Sequence, residues 1–359
     1  MRGLALFSSK PLRVIFLGTP EVVLPVVQKI HIHSEICELV HVVTQKPSRR
    51  GRGAECRDMP SAVHQWALEH SLPVSTPEKA GDPAFLELLR SLNPDVCVTA
   101  AYGQYLPRSF LEIPKFGTLN IHPSLLPQFR GASPVQRALQ QELSETGVTL
   151  LFSTAKMDAG PILAQTQLAI ETLDNAATLL PRAFERGALM LLDVLGRFQS
   201  GGPDSVCTIE QNDLVASLAT KIQAQEAVVS VHRESAHEIV AKMKAFCFWP
   251  NVKIPFILKG ERTETKILCA RAVSLDRVTF EGDLFRANAL SLDESLVLPE
   301  KLGKVAGEAV FDDRGLWIRC KKGDSVLHVI ELQLPGKKAV LASAARNGWP
   351  EGKPTLAAD

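Results

Sequence analysis

Two rhythms of hydrophobic and polar positions divide this chain. In the first, Arg13-Val-Ile-Phe-Leu17 is a short apolar run closed by Gly18-Thr19-Pro20, and Val22, Val23, Val26, Val27 and Ile30 follow at helical spacing. Ile36–Val43 is a second β-rich run. Strand, turn, helix and strand in that order predict a βαβ unit and hence a parallel sheet. The alternation continues with a helix over Pro83–Leu92, a buried strand over Asp95–Ala100, and strands over Thr118–Ile121 and Val148–Phe152. A long closing helix is predicted over Ala176–Phe198, with Pro181 and Gly187 inside it. These elements add up to a doubly wound α/β domain with a mostly parallel sheet.

The second rhythm begins after Gly201-Gly202-Pro203-Asp204-Ser205, a stretch that breaks the pattern. One helix is predicted over Ser235–Phe246. Short β-prone runs separated by turns follow at Lys253–Leu258, Thr265–Ala270, Arg277–Phe280, Leu316–Cys320 and Val326–Leu332. Many short strands in so little chain predict a small barrel or sandwich. The expected organisation is a tail over 1–12, an α/β domain over 13–200, a linker over 201–225 and a β domain over 226–359.

Composition adds exclusions. No run of about 18 apolar residues occurs, so a spanning helix is not expected. A net charge of +1 leaves no global electrostatic footprint for nucleic acid, so any such contact must come from local basic patches. The seven cysteines form no Cys-x-x-Cys pair and no zinc spacing, which predicts reduced thiols buried in the core. Residues 1–10 lack acids and carry Arg2, Lys10 and two serines, a composition that favours an organelle transit remnant and also fits a disordered tail.

The candidate chemistry centres on Gly117-Thr-Leu-Asn120-Ile-His122-Pro-Ser124-Leu-Leu-Pro127-Gln-Phe-Arg130-Gly131. Asn120 and His122 are two apart on a strand, so they project from one face. They stand at its carboxyl end, where α/β sheets place their sites. An amide donor beside an imidazole suits an oxyanion-binding, proton-shuttling site, and Pro123 and Pro127 stiffen the loop that follows. Further on, Lys156-Met157-Asp158-Ala159-Gly160-Pro161-Ile162 places an aspartate after a strand; taken alone, it reads as a turn former or helix cap. No phosphate-binding glycine loop and no metal motif is present, so neither a nucleotide cofactor nor a metal is expected.

Together these residues resemble the glycinamide-ribonucleotide-type formyltransferase superfamily, whose signature is an Asn-x-His-x-Ser-Leu-Leu-Pro stretch and a later Asp-x-Gly-Pro-Ile. The resemblance implies 10-formyltetrahydrofolate as donor and an amine as acceptor. It implies that Asn120 and His122 stabilise the oxyanion of the tetrahedral intermediate, and that Asp158 orients His122 or a water and helps collect the amine proton. Ser124, Leu125, Leu126 and Pro127 would line the folate site, with Tyr102, Gly103, Gln104 and Leu106 as a wall for the pterin.

Outside that core, Gly18-Thr19-Pro20, Val43-Thr44-Gln45-Lys46-Pro47 and Arg49-Arg50-Gly51-Arg52-Gly53 are similar to the methionyl-tRNA formyltransferase family, which inserts a basic loop into its first domain. The similarity implies initiator methionyl-tRNA as acceptor, gripped by Arg49, Arg50 and above all Arg52. Pro335-Gly336-Lys337-Lys338 resembles the family's closing motif, which makes Lys337 and Lys338 candidate phosphate contacts in an OB-like, tRNA-binding second domain. Such an enzyme is expected to be a monomer with no membrane contact, in a mitochondrion or plastid, or in the cytoplasm if bacterial. Two departures stand out: Ala54-Glu55-Cys56-Arg57-Asp58 dilutes the basic loop, and Phe246-Cys247-Phe248-Trp249 lacks an Asn-Pro. Two other readings compete: formyl transfer to a sugar-nucleotide or other small amine, and a catalytically inactive tRNA-binding derivative.

Overall fold

The computed structural model describes residues 10–50, 57–275, 298–321, 324–349 and 354–357. Most of the transit-like stretch, the tip of the arginine-rich loop with Arg52, and the strand expected over Arg277–Phe280 lie outside these residues. The chain divides into two compact units. One comprises residues up to Pro134, Glu145–Ala169 and Leu180–Thr220; the other comprises Val135–Ser144, Ile170–Leu179 and the chain from Lys221 onward. The expected linker is thus split between them at Thr220.

In chain order the first elements are β1 (Leu12–Gly18), α1 (Leu24–Ile32), β2 (Cys37–Val43), β3 (Ser48–Arg50), β4 (Arg57–Met59), α2 (Ala62–Glu69), β5 (Val74–Ser75), α3 (Pro83–Leu92) and β6 (Val96–Ala100). They continue with α4 (Arg108–Leu111), β7 (Thr118–His122), α5 (Pro134–Gln140), β8 (Glu145–Phe152), β9 (Ile162–Ala169) and α6 (Ala176–Gly201). The sheet order is β5-β2-β1-β6-β7-β8-β9. The strands are parallel from β5 to β7, and β8 and β9 run antiparallel.

Strand alternation explains why this sheet is covered on both faces. On β1, Val14 and Phe16 enter a core with Val26, Val27 and Ile30 of α1, Trp66 of α2, and Phe184, Leu191 and Phe198 of α6. Ile15 and Leu17 enter the opposite core with Phe85, Leu86 and Leu89 of α3 and with Phe110. Burying each such side chain contributes about 1.5–3 kcal/mol. α3 has the boundaries its sequence predicts because Asp82 caps it, accepting from the Ala84 and Phe85 N–H groups, and Asn93 ends it in the left-handed conformation.

The order of the sheet reverses between β1 and β6, the topological switch point at which α/β proteins place their ligands. β7 lies next to β6, so its carboxyl end borders that crevice. The antiparallel β8–β9 hairpin departs from a purely parallel reading. Its link from Phe152 to Ile162 is too short to return by a helical crossover, which parallel pairing requires.

The second unit contains α7 (Ala236–Ala245), β10 (Lys253–Leu258), β11 (Glu261–Ser274), β12 (Ala309–Phe311), β13 (Leu316–Cys320), β14 (Ser325–Gln333), β15 (Val340–Leu341), α8 (Ala342–Ala345) and β16 (Thr355–Leu356). All its strand pairs are antiparallel, and the sheet curls into a nearly closed barrel. Ser235 and Glu238 form a reciprocal capping box that starts α7 one residue into its predicted span. Trp349 packs edge-on with Phe256 and tilted on Phe311. Of the cysteines among the described residues, Cys37, Cys97, Cys269 and Cys320 are buried as expected, whereas Cys207 is exposed.

Close packing beneath the candidate site gives a stability test. A Cβ on Gly187 of α6 would lie 2.4 Å from Cγ2 of Ile121, the residue between Asn120 and His122. Alanine would gain about 1 kcal/mol of helix propensity, but overpacking costs about 1–3 kcal/mol. Gly187→Ala is expected to lower unfolding free energy in urea titration, against the propensity trend.

Candidate active site

Parallel pairing puts Thr99 of β6 beside Asn120 of β7. The Thr99 hydroxyl donates to Asn120 Oδ1 at 2.9 Å, which fixes the amide so that its nitrogen points away. That nitrogen donates one hydrogen to Asp158 Oδ1 at 3.1 Å. Its second hydrogen remains for an oxygen arriving in the crevice.

His122, two residues on, is buried. Its Nε2 lies 2.9 Å from the Phe129 carbonyl oxygen. A carbonyl can only accept, so Nε2 carries a proton, and in the neutral tautomer this leaves Nδ1 as the bare nitrogen. Nδ1 faces Asp158 Oδ2 at 3.6 Å, close enough for the carboxylate to stabilise an imidazolium. This geometry leaves Nδ1 free to take up and return a proton.

Asp158 stands in a left-handed conformation, with φ of 50°. Its Oδ2 also accepts from the Gly131 backbone N–H at 2.8 Å. The carboxylate therefore ties the end of β7 to the loop that follows it. Gly160 permits this turn, because a Cβ there would fall 1.9 Å from the Phe152 carbonyl oxygen. The structure brings Asn120, His122 and Asp158 together.

The Ser124–Pro127 loop is held from within. Ser124 is fully buried, and its hydroxyl donates to the Gln128 carbonyl at 2.8 Å. The Thr149 hydroxyl donates to the Ser124 carbonyl at 2.6 Å and accepts from the Leu126 N–H at 3.2 Å. Gln165 donates to the Leu126 carbonyl at 2.9 Å. Leu126 packs with Leu151 and Ile162, while Leu125 and Pro127 are half-buried. The side chains of Ser124 and Leu126 thus shape the loop. Thr149 and Gln165 are supports that sequence reasoning missed; they come from β8 and β9, which carry no motif of their own.

Of the expected pterin wall, Tyr102 and Leu106 pack into the core shared with Phe85 and Phe110. Burial pushes the Tyr102 hydroxyl up to about 12. Gln104 spends its amide on backbone, accepting from the Ala80 N–H at 2.8 Å and donating to the Pro77 carbonyl at 3.1 Å. Gly103, at φ of 87°, is exposed and offers backbone at its own position.

Arg49 and Arg50 lie on β3, whose backbone pairs antiparallel with β4 in a separate two-stranded sheet. In the second unit, Lys337 and Lys338 are exposed on a turn in which the Lys337 N–H donates to the Leu334 carbonyl. Among the described residues no group of three histidine, cysteine or acidic side chains could hold a metal, and no helix is long and apolar enough to cross a membrane.

Residues 12–195 match the formyl transferase family and residues 221–350 the formyl transferase C-terminal domain. A methionyl-tRNA formyltransferase of Sulfurihydrogenibium sp. is 32% identical over 339 residues, covering 94% of this chain and 97% of that protein. The chain belongs to the methionyl-tRNA formyltransferase family. Another member, from Thermosynechococcus vestitus, is 40% identical over 236 residues, 66% of this chain and 69% of its own. Solved structures bear on the fold. An N-formyltransferase from Helicobacter canadensis, solved with folinic acid and dTDP-3-aminofucose, matches 89% of this chain and 99% of its own at 16% identity, with a TM-score of 0.59. The sugar 3N-formyl transferase WlaRD matches 91% of this chain and 99% of its own at the same identity, with a TM-score of 0.57.

The orientation of the Asn120 amide depends on Thr99. Thr99→Val removes the hydroxyl that fixes the Asn120 amide, and a net hydrogen-bond contribution of about 1 kcal/mol sets the scale. Steady-state formyl transfer by Thr99→Val is expected to show kcat reduced by roughly fivefold, with donor KM little changed.

Proposed function

We propose that the enzyme transfers the formyl group of 10-formyltetrahydrofolate to the amino group of methionyl initiator tRNA. The observation that carries this reading is the convergence of Asn120 and His122 on Asp158 in a chain similar over nearly its whole length to methionyl-tRNA formyltransferases. The amine attacks the formyl carbon, and the free Asn120 N–H stabilises the oxyanion that develops. His122 Nδ1 faces the same centre, with Asp158 balancing the charge it acquires on taking the amine proton. Collapse of the intermediate breaks the bond between the formyl carbon and the folate nitrogen, which receives a proton as it leaves. The products are formylmethionyl-tRNA and tetrahydrofolate, so no metal or redox step is needed for balance.

The β3–β4 hairpin supports the tRNA part of the reading. Its strand β3 holds Arg49 and Arg50, Gly51-Arg52-Gly53 follows in sequence, and guanidinium groups in such a Gly-flanked stretch suit phosphates and groove edges. Lys337 and Lys338 are candidate phosphate contacts of the second unit. Transfer to a sugar-nucleotide amine is the competing chemistry, and ionic strength separates the two: tRNA binding weakens steeply with salt, whereas use of a small amine does not.

The test is transfer of labelled formyl from 10-formyltetrahydrofolate to methionyl initiator tRNA. Wild type is expected to formylate it. Asn120→Ala and His122→Ala should each reduce kcat by about 10²–10³ or more, and Arg52→Ala should chiefly raise KM for tRNA. A wild-type enzyme that leaves methionyl-tRNA unmodified while formylating an amino sugar nucleotide would overturn the acceptor assignment.

A further inference from the structure

The stretch from Ile209 to Ala219 is stitched to both loops that carry the chemistry. Ile209 exchanges backbone hydrogen bonds with Ile162, at 2.8 and 2.9 Å, just beyond the Asp158 turn. Further along, the Arg130 N–H donates to the Ser217 carbonyl, the Ala219 N–H donates to the Arg130 carbonyl, and the Ser217 hydroxyl accepts from the Phe129 N–H. Phe129 supplies the carbonyl that sets the His122 proton, and Gly131 supplies the N–H that holds Asp158.

Gln211 lies at the middle of this arrangement. Its Nε2 donates to the backbone carbonyls on either side of the turn, Asp158 at 2.9 Å and Gly160 at 2.7 Å. Its Oε1 accepts from both Nε and Nη2 of Arg130, at 3.0 and 2.8 Å. The carboxamide therefore uses two donors and two acceptor positions, and no flipped orientation satisfies either set. Arg130 is itself buried, and its remaining arm donates to Asp213 at 2.7 Å. Lys156, just before the catalytic turn, also donates to Asp213. These bonds to Lys156 and Arg130 hold the Asp213 carboxyl below the usual carboxylate range.

A left-handed aspartate is not held there by its own backbone preference. Gln211 supplies the constraint from outside the turn, by gripping the peptide oxygens that flank it. Its own place is fixed by a guanidinium in the loop that also contacts the Asp158 carboxylate. One side chain thus locks the two catalytic loops in register.

We infer that Gln211, clamped by Arg130, is a positioning residue that sets the Asp158 carboxylate against Asn120 and His122. Gln211 makes no approach to substrate in this role; it acts through Asp158 alone. The inference rests on the formyl-transfer reading for its kinetic consequence, and on geometry alone for its structural one.

The experiment compares wild type, Gln211→Ala and Gln211→Glu, each with and without Asp158→Ala. Gln211→Glu keeps an acceptor for Arg130 and loses both donors, so it separates the grip on the turn from the pairing with Arg130. A misplacement on the order of 1 Å at a catalytic group can cost about 10²-fold. Both Gln211 variants are expected to lose about 10–100-fold in kcat for methionyl-tRNA, with KM for donor and tRNA changed less than about threefold. In the Asp158→Ala background the same substitutions should have no further effect, an epistasis that a general loss of folding would not produce. Crystal structures of wild type and Gln211→Ala supply a readout that needs no acceptor: the contact from the Gly131 N–H to Asp158 should open. Should wild type fail on methionyl-tRNA while that contact opens in the variant, the acceptor reading falls and the positioning role stands. An Asp158 that stays in place, a kcat equal to that of an active wild type, or an equal loss with and without Asp158 overturns the inference.

Discussion

The Asp158 carboxylate lies where three parts of the chain meet, and the geometry of the site follows from what it accepts. Its two oxygens face the Asn120 amide, the Gly131 backbone N–H and the His122 ring. A carboxylate so placed fixes the direction of the amide and stabilises positive charge on the imidazole. It also keeps the loop after β7 from drifting off the end of its strand. Hydrogen bonds to a charged acceptor contribute about 1.5–3 kcal/mol each, enough to hold a turn whose aspartate occupies a sparsely populated backbone region.

The scaffold makes that arrangement possible. A sheet packed on both faces leaves its strand ends as the accessible polar edge, and the reversal of strand order beside β6 opens a crevice there. β7 contributes Asn120 and His122 through the two-residue period of an extended chain, and β6 contributes Thr99 in register. The antiparallel hairpin of β8 and β9 carries the chain out to Asp158 and back, and Thr149 and Gln165 on the same hairpin brace the opposite loop. The folding pattern and the chemistry are thus two aspects of one strand alignment.

Apolar runs made β1, β6, β7, β10 and β13 legible in the sequence because these strands are buried along most of their length, and helical spacing made α3 legible because one face is buried. β9 was not legible. Its residues Gln165, Gln167 and Ala169 lie along a sheet edge with one side in solvent, so no apolar run marks it. The same holds for the two-residue strands β5, β15 and β16, which are too short to carry a period. In the site, Asp158 taken alone reads as a turn former and entered only through the resemblance, whereas Asn120 and His122 could be read from their two-residue spacing on one strand. Gln211 could not, since a glutamine in a polar stretch after a helix reads as linker until its partners, Arg130 and the carbonyls of a distant turn, are brought to it by the fold. Tyr102, which the resemblance implies as part of a pterin wall, has its ring in the core with Phe85 of α3 and Phe110 of α4, a burial that no motif in the sequence announces.

That Asn120 and Asp158 work as one unit is tested most directly by a double-mutant cycle on formyl transfer. Single-turnover rates for Asn120→Ala, Asp158→Ala and the double variant would be measured with saturating donor and methionyl-tRNA. If the carboxylate acts by orienting the amide, the double variant is expected to fall little below the slower single variant, since removing either partner already breaks the unit. A double variant whose loss is the full product of the two single losses would contradict the account, because each residue would then act on the transition state independently.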